Sequence, residues 1–528
     1  MQNDSGSLES TDPAMIGMSR PALENQAVSL GAPQETEKPY SVYSTKEKWF
    51  IVALIAFAGL FSPLTANIYL PAIPVLTVDF NKSTELINIT VTVYMVFQGL
   101  CELSLQSSIL MTEGPKFLAP MLFGTMADQV GRRPMFAGCL LILSLSCIGL
   151  ALVPTSAYWL LVVLRCAQAA GSASTIALGA GTIGDIAAPV ERGGFYGLYN
   201  LGPMFGPCIG PVIGGALSNG LGWRSIFWFL CISSAACFVV IVLFLPETLR
   251  SLVGDGSAIP SKHYRPLIPV VGKTASDPSF ARPPPKPFRN PLRILNNLDI
   301  MMVLSINAVI NSLYYGVTAS MSTLFSEAYP SLNQTQIGLC YLAIGGGMVI
   351  GSSVLGRVLD QEYGRLQRSV VAVQAPGNTE KSETGIDDNF PIEKARLRLV
   401  PFSMLIFAAC CAGYGWSVQE HTNLAGPLLL QVAIGFTTMG IMTSTQTLLV
   451  DLMPSQSSSV TACNNFIRCI AGAVLVSTMD LLLRALGAGW TYVLLGGICM
   501  LTIPLVYLII HFGPPRRIKR RRALATIN

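Results

Sequence analysis

Apolar residues in this chain fall in long blocks parted by short polar stretches, and the length of the blocks sets the first reading. Runs with little or no charge cover Trp49–Leu70, Leu86–Leu100, Phe136–Val153, Trp159–Ile183, Phe195–Leu217, Ile226–Leu245, Ile300–Phe325, Ile337–Gly356, Val400–Trp416, Leu424–Val450, Ala462–Leu483 and Trp490–Phe512. A helix rises 1.5 Å per residue, so roughly 20 residues cross a hydrocarbon core about 30 Å thick. The pattern predicts an all-α membrane protein with twelve transmembrane helices.

The polar stretches divide the chain in two. Residues 246–297 contain the run ARPPPKPFRNP and leave six blocks on each side, as a flexible linker would. Corresponding places echo each other. GTMADQVGRR at 124–133 follows the second block and GRVLDQEYGR at 356–365 the eighth, while IGDIAAP at 183–189 and LVDLMP at 449–454 close the fourth and tenth. The expected layout is a disordered tail over 1–47, a bundle over 48–245, the linker, a second bundle over 298–512 with a long loop at 357–399, and a basic tail over 513–528. Two pseudo-symmetric six-helix bundles around a central cavity are the architecture of a secondary transporter.

One block is too short. Leu86–Leu100 gives only 15 residues, about 22 Å of helix, and the next eighteen residues, 101–118, carry Glu102, Glu113, Pro115 and Lys116. Without them Leu86–Leu100 and Ala119–Gly124 join as one 21-residue span. The segment reads as an anomalous insertion, either a retained intron or a genuine extension of the second span.

Composition agrees with the block pattern: 51% of the 528 residues are hydrophobic and 12% charged, against about 25% charged in soluble domains. The net charge of +5 matters less than where it sits. Gly131–Pro134, the 246–297 and 357–399 segments and RRIKRRR at 516–522 would share one side, and Lys82, Arg224 and Arg484 the other. Short basic loops face the cytoplasm, so both termini are expected there. The polar first 45 residues contain no signal-peptide pattern. Thirteen cysteines, scattered through apolar runs without a CxxC pair, read as small buried hydrophobes.

Breakers at helical spacing mark the fifth block. LGPMFGPCIGPVIGGAL at 201–217 places Gly202-Pro203, Gly206-Pro207 and Gly210-Pro211 four residues apart, with Gly214-Gly215 where a fourth pair would fall. The glycines form one slowly drifting stripe that permits close helix approach, and the prolines bend the span.

Three patterns together resemble a known family. GTMADQVGRRP at 124–134, RCAQAAG at 165–171 and the glycine–proline repeat look like motifs A, B and C of the major facilitator superfamily, the third similar to the signature of its drug:proton antiporters. SPLTANIYLPAIP at 62–74, VTVYMVFQGL at 91–100, GWRSIFWFL at 222–230 and NNFIRC at 464–469 resemble the fungal twelve-span family that includes the quinidine-resistance exporters. The resemblance covers about residues 45–512. It implies the major facilitator fold and export of a small organic compound in exchange for protons, with drug resistance as one outcome. It further implies a gating cluster of Gly124, Asp128, Gly131, Arg132 and Arg133 in motif A, and a proton-linked role for Arg165.

Other candidates follow from residue type. Charge inside a span is costly unless it faces a cavity or a partner, which singles out Arg165 and Arg468. Each could equally make a structural contact between helices. No carboxylate lies in the middle of a span, so Asp185 and Asp451, at the ends of the fourth and tenth, are read mainly as gating salt-bridge partners that could also carry protons. Asn67, Tyr69, Tyr94, Gln98, Asn307, Asn311, Tyr314, Tyr315, Asn464 and Asn465 could line an amphipathic cavity, or glue helices together. Asn81 and Asn333 stand in glycosylation sequons on the expected outside.

Enzyme-like motifs fail in context. Gly179–Gly184 matches GxGxxG but ends an apolar run, Gly272-Lys273-Thr274 lacks the first glycine of a P-loop, and His263, His421 and His511 form no metal set. No enzymatic activity, metal or cofactor is expected; the proton gradient would supply the energy. Expected partners are the lipid bilayer, a small organic substrate and protons, with no nucleic acid, for a monomer in the plasma membrane or another internal membrane. The alternatives are a dedicated exporter of a polyamine, organic acid or secondary metabolite, and a non-transporting sensor on the same fold.

Overall fold

Local chemistry starts the first helix where the hydropathy says it must begin. Ser44 and Glu47 form a capping box, Ser44 N donating to Glu47 Oε2 at 2.7 Å and Glu47 N to Ser44 Oγ at 3.4 Å. The computed structural model describes residues 41–104, 130–188, 191–256, 264–269, 291–373, 391–453 and 457–525. The membrane-length helices are α1 Thr45–Asn67, α2 Thr84–Ser104, α3 Arg132–Leu152, α4 Tyr158–Ile186, α5 Arg192–Leu221, α6 Arg224–Phe244, α7 Leu298–Ala328, α8 Gln334–Val373, α9 Val400–Gln419 and α10 Ala425–Leu452. Two further helices, Ser457–Leu501 and Ile503–Ala525, complete the chain.

The last stretch is where helix assignment and membrane arithmetic differ. Eleven apolar stretches are long enough to cross, and the eleventh, Val460–Arg520, is 61 residues, about 90 Å of helix. That is too long for one crossing. Gly487, at φ 75° and ψ 169°, breaks it into α11 (457–486) and α12 (488–525). Beyond the break the chain returns along α9, with Trp490 against Trp416 and Tyr492 against Tyr414 at ring separations of 5.9 and 5.0 Å.

With twelve crossings, α1 starts and α12 ends on one face, the basal face. The far face carries the connections around 68–83 and 329–333. Two helix pairs join the halves. On one side α2 meets α11, where a Cβ on Gly99 would lie 2.9 Å from the Cys469 Cβ and one on Gly472 2.6 Å from the Met95 Cε. On the other, α5 meets α8.

Several expected boundaries move. The short second block gains a turn: α2 runs through Ser104, 21 residues or about 31 Å, enough to cross without residues beyond the insertion's first four. Cys101, inside the insertion, is buried with Ala170 and Ala173 of α4. The remainder of 101–118, together with Gly124 and Asp128, lies outside the described residues. The 357–399 loop is shorter than expected, because α8 continues to Val373 and Ile392–Leu397 is helical; helix outside the membrane needs no hydropathy to persist. Residues 513–525 are part of α12 rather than a loose tail. Arg517 is buried facing Glu393, with Nε 3.4 Å from Oε1, and Arg520 reaches Asp299 at 2.7 Å.

Candidate functional site

The glycine–proline helix α5 is wedged between a neighbour in its own half and one in the other. A Cβ on Gly202 would run into the Ala56 carbonyl oxygen, on Gly206 into Pro63 at 2.6 Å, and on Gly214 into the Ile68 carbonyl oxygen, all along α1 and its extension. Gly210 is looser, its nearest neighbour being Ile68 N at 3.2 Å. The opposite face of α5 lies on α8: Gly215 abuts the Gln334 carbonyl oxygen, a Cβ on Gly338 would stand 2.6 Å from Pro211 O, and one on Gly345 2.8 Å from Cys208. Pro203, Pro207 and Pro211 all sit inside the helix. The seam is backbone against backbone, which leaves little room for water.

A polar cluster in the first half surrounds Arg165. Its side chain is fully buried and stacks on two rings, with Cζ 4.1 Å from the Tyr69 centroid and 4.8 Å from that of Tyr94. Nη1 donates to Gln168 Oε1 at 2.6 Å, while Nε and Nη2 have no partner among the described residues. The rings are fixed in turn. Thr90 Oγ1 donates to Tyr69 Oη at 3.0 Å, and Tyr94 Oη meets Thr65 Oγ1 at 2.6 Å and Ser172 Oγ at 2.7 Å. Gln98 bonds to Ser62 Oγ at 3.1 Å, whereas Asn67 turns to Pro63 O of its own helix at 2.7 Å.

The second half holds its own network. Asn307 of α7 donates to Asn464 of α11, and Asn464 to Gln446 of α10, each at 2.7 Å. Asn311 Nδ2 is 3.4 Å from the carbonyl of Arg468. Arg468 is half-buried and its Nε has no partner among the described residues. Tyr314 is buried and packs on half-buried Tyr315 at 5.4 Å; Asn465 is half-buried. Asn307 and Asn464 thus spend hydrogen bonds on each other.

Charge gathers at the basal face within each half. Arg132 Nε lies 3.0 Å from Asp185 Oδ2, and Arg396 Nε 2.9 Å from Asp451 Oδ2. Buried Glu247 accepts from the backbone N–H groups of Arg132, Arg133, Thr248 and Leu249 at 2.8, 3.2, 3.0 and 2.9 Å. A carboxylate at a helix start satisfies its orphan donors and complements its dipole. Gly131, at φ 118°, brings the chain so close that a Cβ would strike Glu247. Arg133 donates to Val242 O at 2.7 Å. On the far face Asn81 and Asn333 are both exposed, and Asn333 Oδ1 caps α8 by accepting from Gln336 N at 2.9 Å.

The sequence model of the Major Facilitator Superfamily matches residues 55–375, more than half of the chain. The chain belongs to the major facilitator superfamily. It is a multi-pass membrane transporter of small molecules, not an enzyme. Citrate exporter 1 of Aspergillus niger is 35% identical over 511 residues, covering 95% of this chain and 93% of that one. Quinidine resistance protein 1 of Saccharomyces cerevisiae is 32% identical over 508 residues, covering 92% and 86%. Among solved structures, a D-xylose–proton symporter superposes with a TM-score of 0.60 at 14% identity, over 87% of this chain and 97% of the other; that likeness concerns the fold alone.

Sequence reasoning passed over several members of this superfamily chain's polar framework. Glu247, Arg396 and Glu393 sit beside apolar blocks, and Asp480 near the end of one, without a motif around them. Only their partners in space, up to 115 residues away for Glu247 and Arg132, mark them.

Proposed function

We propose that this chain exports small organic compounds in exchange for protons, rocking the halves around a central site so that it opens to each side in turn. In this reading the basal face is cytoplasmic, the membrane is the plasma membrane, and the proton gradient is the sole energy source. The observation that carries it is α5, pressed closely against α1 and α8 through its glycines: a seam with so few intervening side chains limits ion leakage, which an exchanger driven by a gradient requires. The quinidine-resistance relative supports the cargo class. Transport of dyes and organic ions by energised vesicles, with and without an uncoupler, tests it; movement indifferent to the uncoupler would defeat it.

One observation favours a second reading, a dedicated organic-acid exporter. Arg165 and Arg468 place two guanidinium groups within the spans, and among the described residues no carboxylate joins either. A buried cation without a counter-charge favours an anionic ligand, and the citrate exporter relative supports that class. Competition decides between the readings: if di- and tricarboxylates outcompete cationic dyes for uptake into inverted vesicles, the acid exporter stands.

A further inference from the structure

Among the described residues, the ion pair that joins the two halves lies at the far face. Glu85 is the second residue of α2, and Arg484 stands three residues before the Gly487 break that ends α11. Arg484 Nη1 is 3.4 Å from Glu85 Oε1, and its Nη2 is 2.8 Å from Asp480 Oδ2, one turn back on its own helix. One guanidinium therefore grips two carboxyls, one from each half. Asp480 Oδ2 is sealed from solvent, and the Glu85 carboxyl lies within hydrogen-bonding reach of Asp480.

We propose that Glu85, Asp480 and Arg484 form a latch that holds the far face closed and takes up a proton as it closes. Asp480 keeps Arg484 whatever α2 does, because the two are four residues apart on one helix. What arrives from the other half is Glu85, and with it a second negative charge. Two adjacent carboxyls with one guanidinium are relieved by a shared proton, so acid on the far side favours the closed latch.

The surroundings leave the charge balance to these three groups. On α7, which packs against α11, no charged residue stands between Asp299 and Glu327. From α4 the Tyr158 hydroxyl donates to Leu86 O at 2.5 Å, next to Glu85, and Lys82 in the preceding loop is exposed. Other contacts between the halves at this end are uncharged: Ser322 Oγ donates to Pro71 O at 3.4 Å, and Gly338 lies on Pro211. Such contacts cannot respond to protons.

The latch rests on the alternating-access part of the proposed function but not on the cargo. It is tested by pulsed spin-label distances across the far face, between Val78→Cys and Leu486→Cys, both exposed positions, in the full chain with native cysteines replaced by alanine. In liposomes the wild-type latch is expected to gain closed population on acidification. Glu85→Ala, which removes the contact, is expected to raise the ratio of open to closed about two- to fivefold, the range for an exposed ion pair, and to flatten the pH response. Glu85→Gln, uncharged like the protonated side chain, is expected to hold the closed population of acid conditions at every pH, and Arg484→Lys is expected to retain the wild-type closed population and its pH response. Two populations that ignore Glu85→Ala and pH alike would overturn the latch while leaving alternating access intact. A single closed population in every variant would overturn both, and unchanged detergent melting separates either result from misfolding.

Discussion

Arg396 meets Asp451 at 2.9 Å in the second half much as Arg132 meets Asp185 at 3.0 Å in the first. Both pairs hold the end of the fourth helix of a half at the basal face, Arg132 from the first residue of α3 and Arg396 from the short helix Ile392–Leu397 just before α9, although the sequence around Arg396 does not resemble motif A. Asp185→Asn and Asp451→Asn are each expected to cost about 1.5–3 kcal/mol, the loss of a charge-assisted hydrogen bond, below the value for a fully buried pair because the side chains keep 15% and 24% exposure. A double-mutant cycle of Asp185→Asn with Arg132→Gln in a denaturation assay reads the coupling, which is near zero if the pair is incidental.

The α5 seam ranks its own glycines. Alanine at Gly202, Gly206 or Gly214 is expected to abolish transport, since each new Cβ meets backbone or proline at contact distances that real atoms do not reach. Gly210→Ala is expected to be milder, its Cβ needing a shift of only tenths of an ångström. Leucine at either Gly206 or Gly210 is expected to splay the helices and stop export. Transport rates normalised to surface expression give the order, and equal rates across the alanine series would refute the seam.

Arg165 is held by geometry that lysine lacks. A lysine keeps the charge but loses the planar stacking on Tyr69 and Tyr94 and the Nη1 donation to Gln168. Arg165→Lys is therefore expected to transport at under about a tenth of the wild-type rate, the cost of roughly 1.4 kcal/mol or more for a lost cation–π or charge-assisted contact. Initial rates with matched expression check it.

How far the chain could be read in advance depended on whether the signal was local. Run length fixes most of the crossings, and four-residue spacing foretells that Gly202, Gly206 and Gly214 share a close contact. The face shared by Asn307, Asn311 and Tyr314 follows from helical periodicity, but periodicity is silent on whether that face meets a cavity or a neighbour; Asn307 is taken by Asn464. Extension of α8 to Val373 was hidden because hydropathy marks where lipid is, not where hydrogen bonding continues. Glu247 was hidden for another reason: its partners are backbone N–H groups, two of its own neighbours Thr248 and Leu249 and two of a helix far away in sequence, and backbone donors leave no pattern.

Glu247 separates charge from hydrogen bonding. Its Oε1 accepts three backbone donors and Oε2 the fourth. Glu247→Gln keeps one acceptor oxygen and is expected to cost about 1–2 kcal/mol, whereas Glu247→Ala strands all four donors and is expected to cost about 3 kcal/mol or more. Chemical denaturation of the two variants side by side gives the difference; equal losses would mean that the cap is not the source.

Contacts between the halves at α5 and α8 are made largely of glycine: Gly215 on Gln334, Gly338 on Pro211, Gly345 on Cys208. Interlocked side chains must climb over one another when two surfaces move, but surfaces without knobs have nothing to disengage. In the proposed alternating access this interface serves as a bearing, staying in contact while one half rolls on the other, so that its friction, rather than its strength, is what a side chain placed there would change.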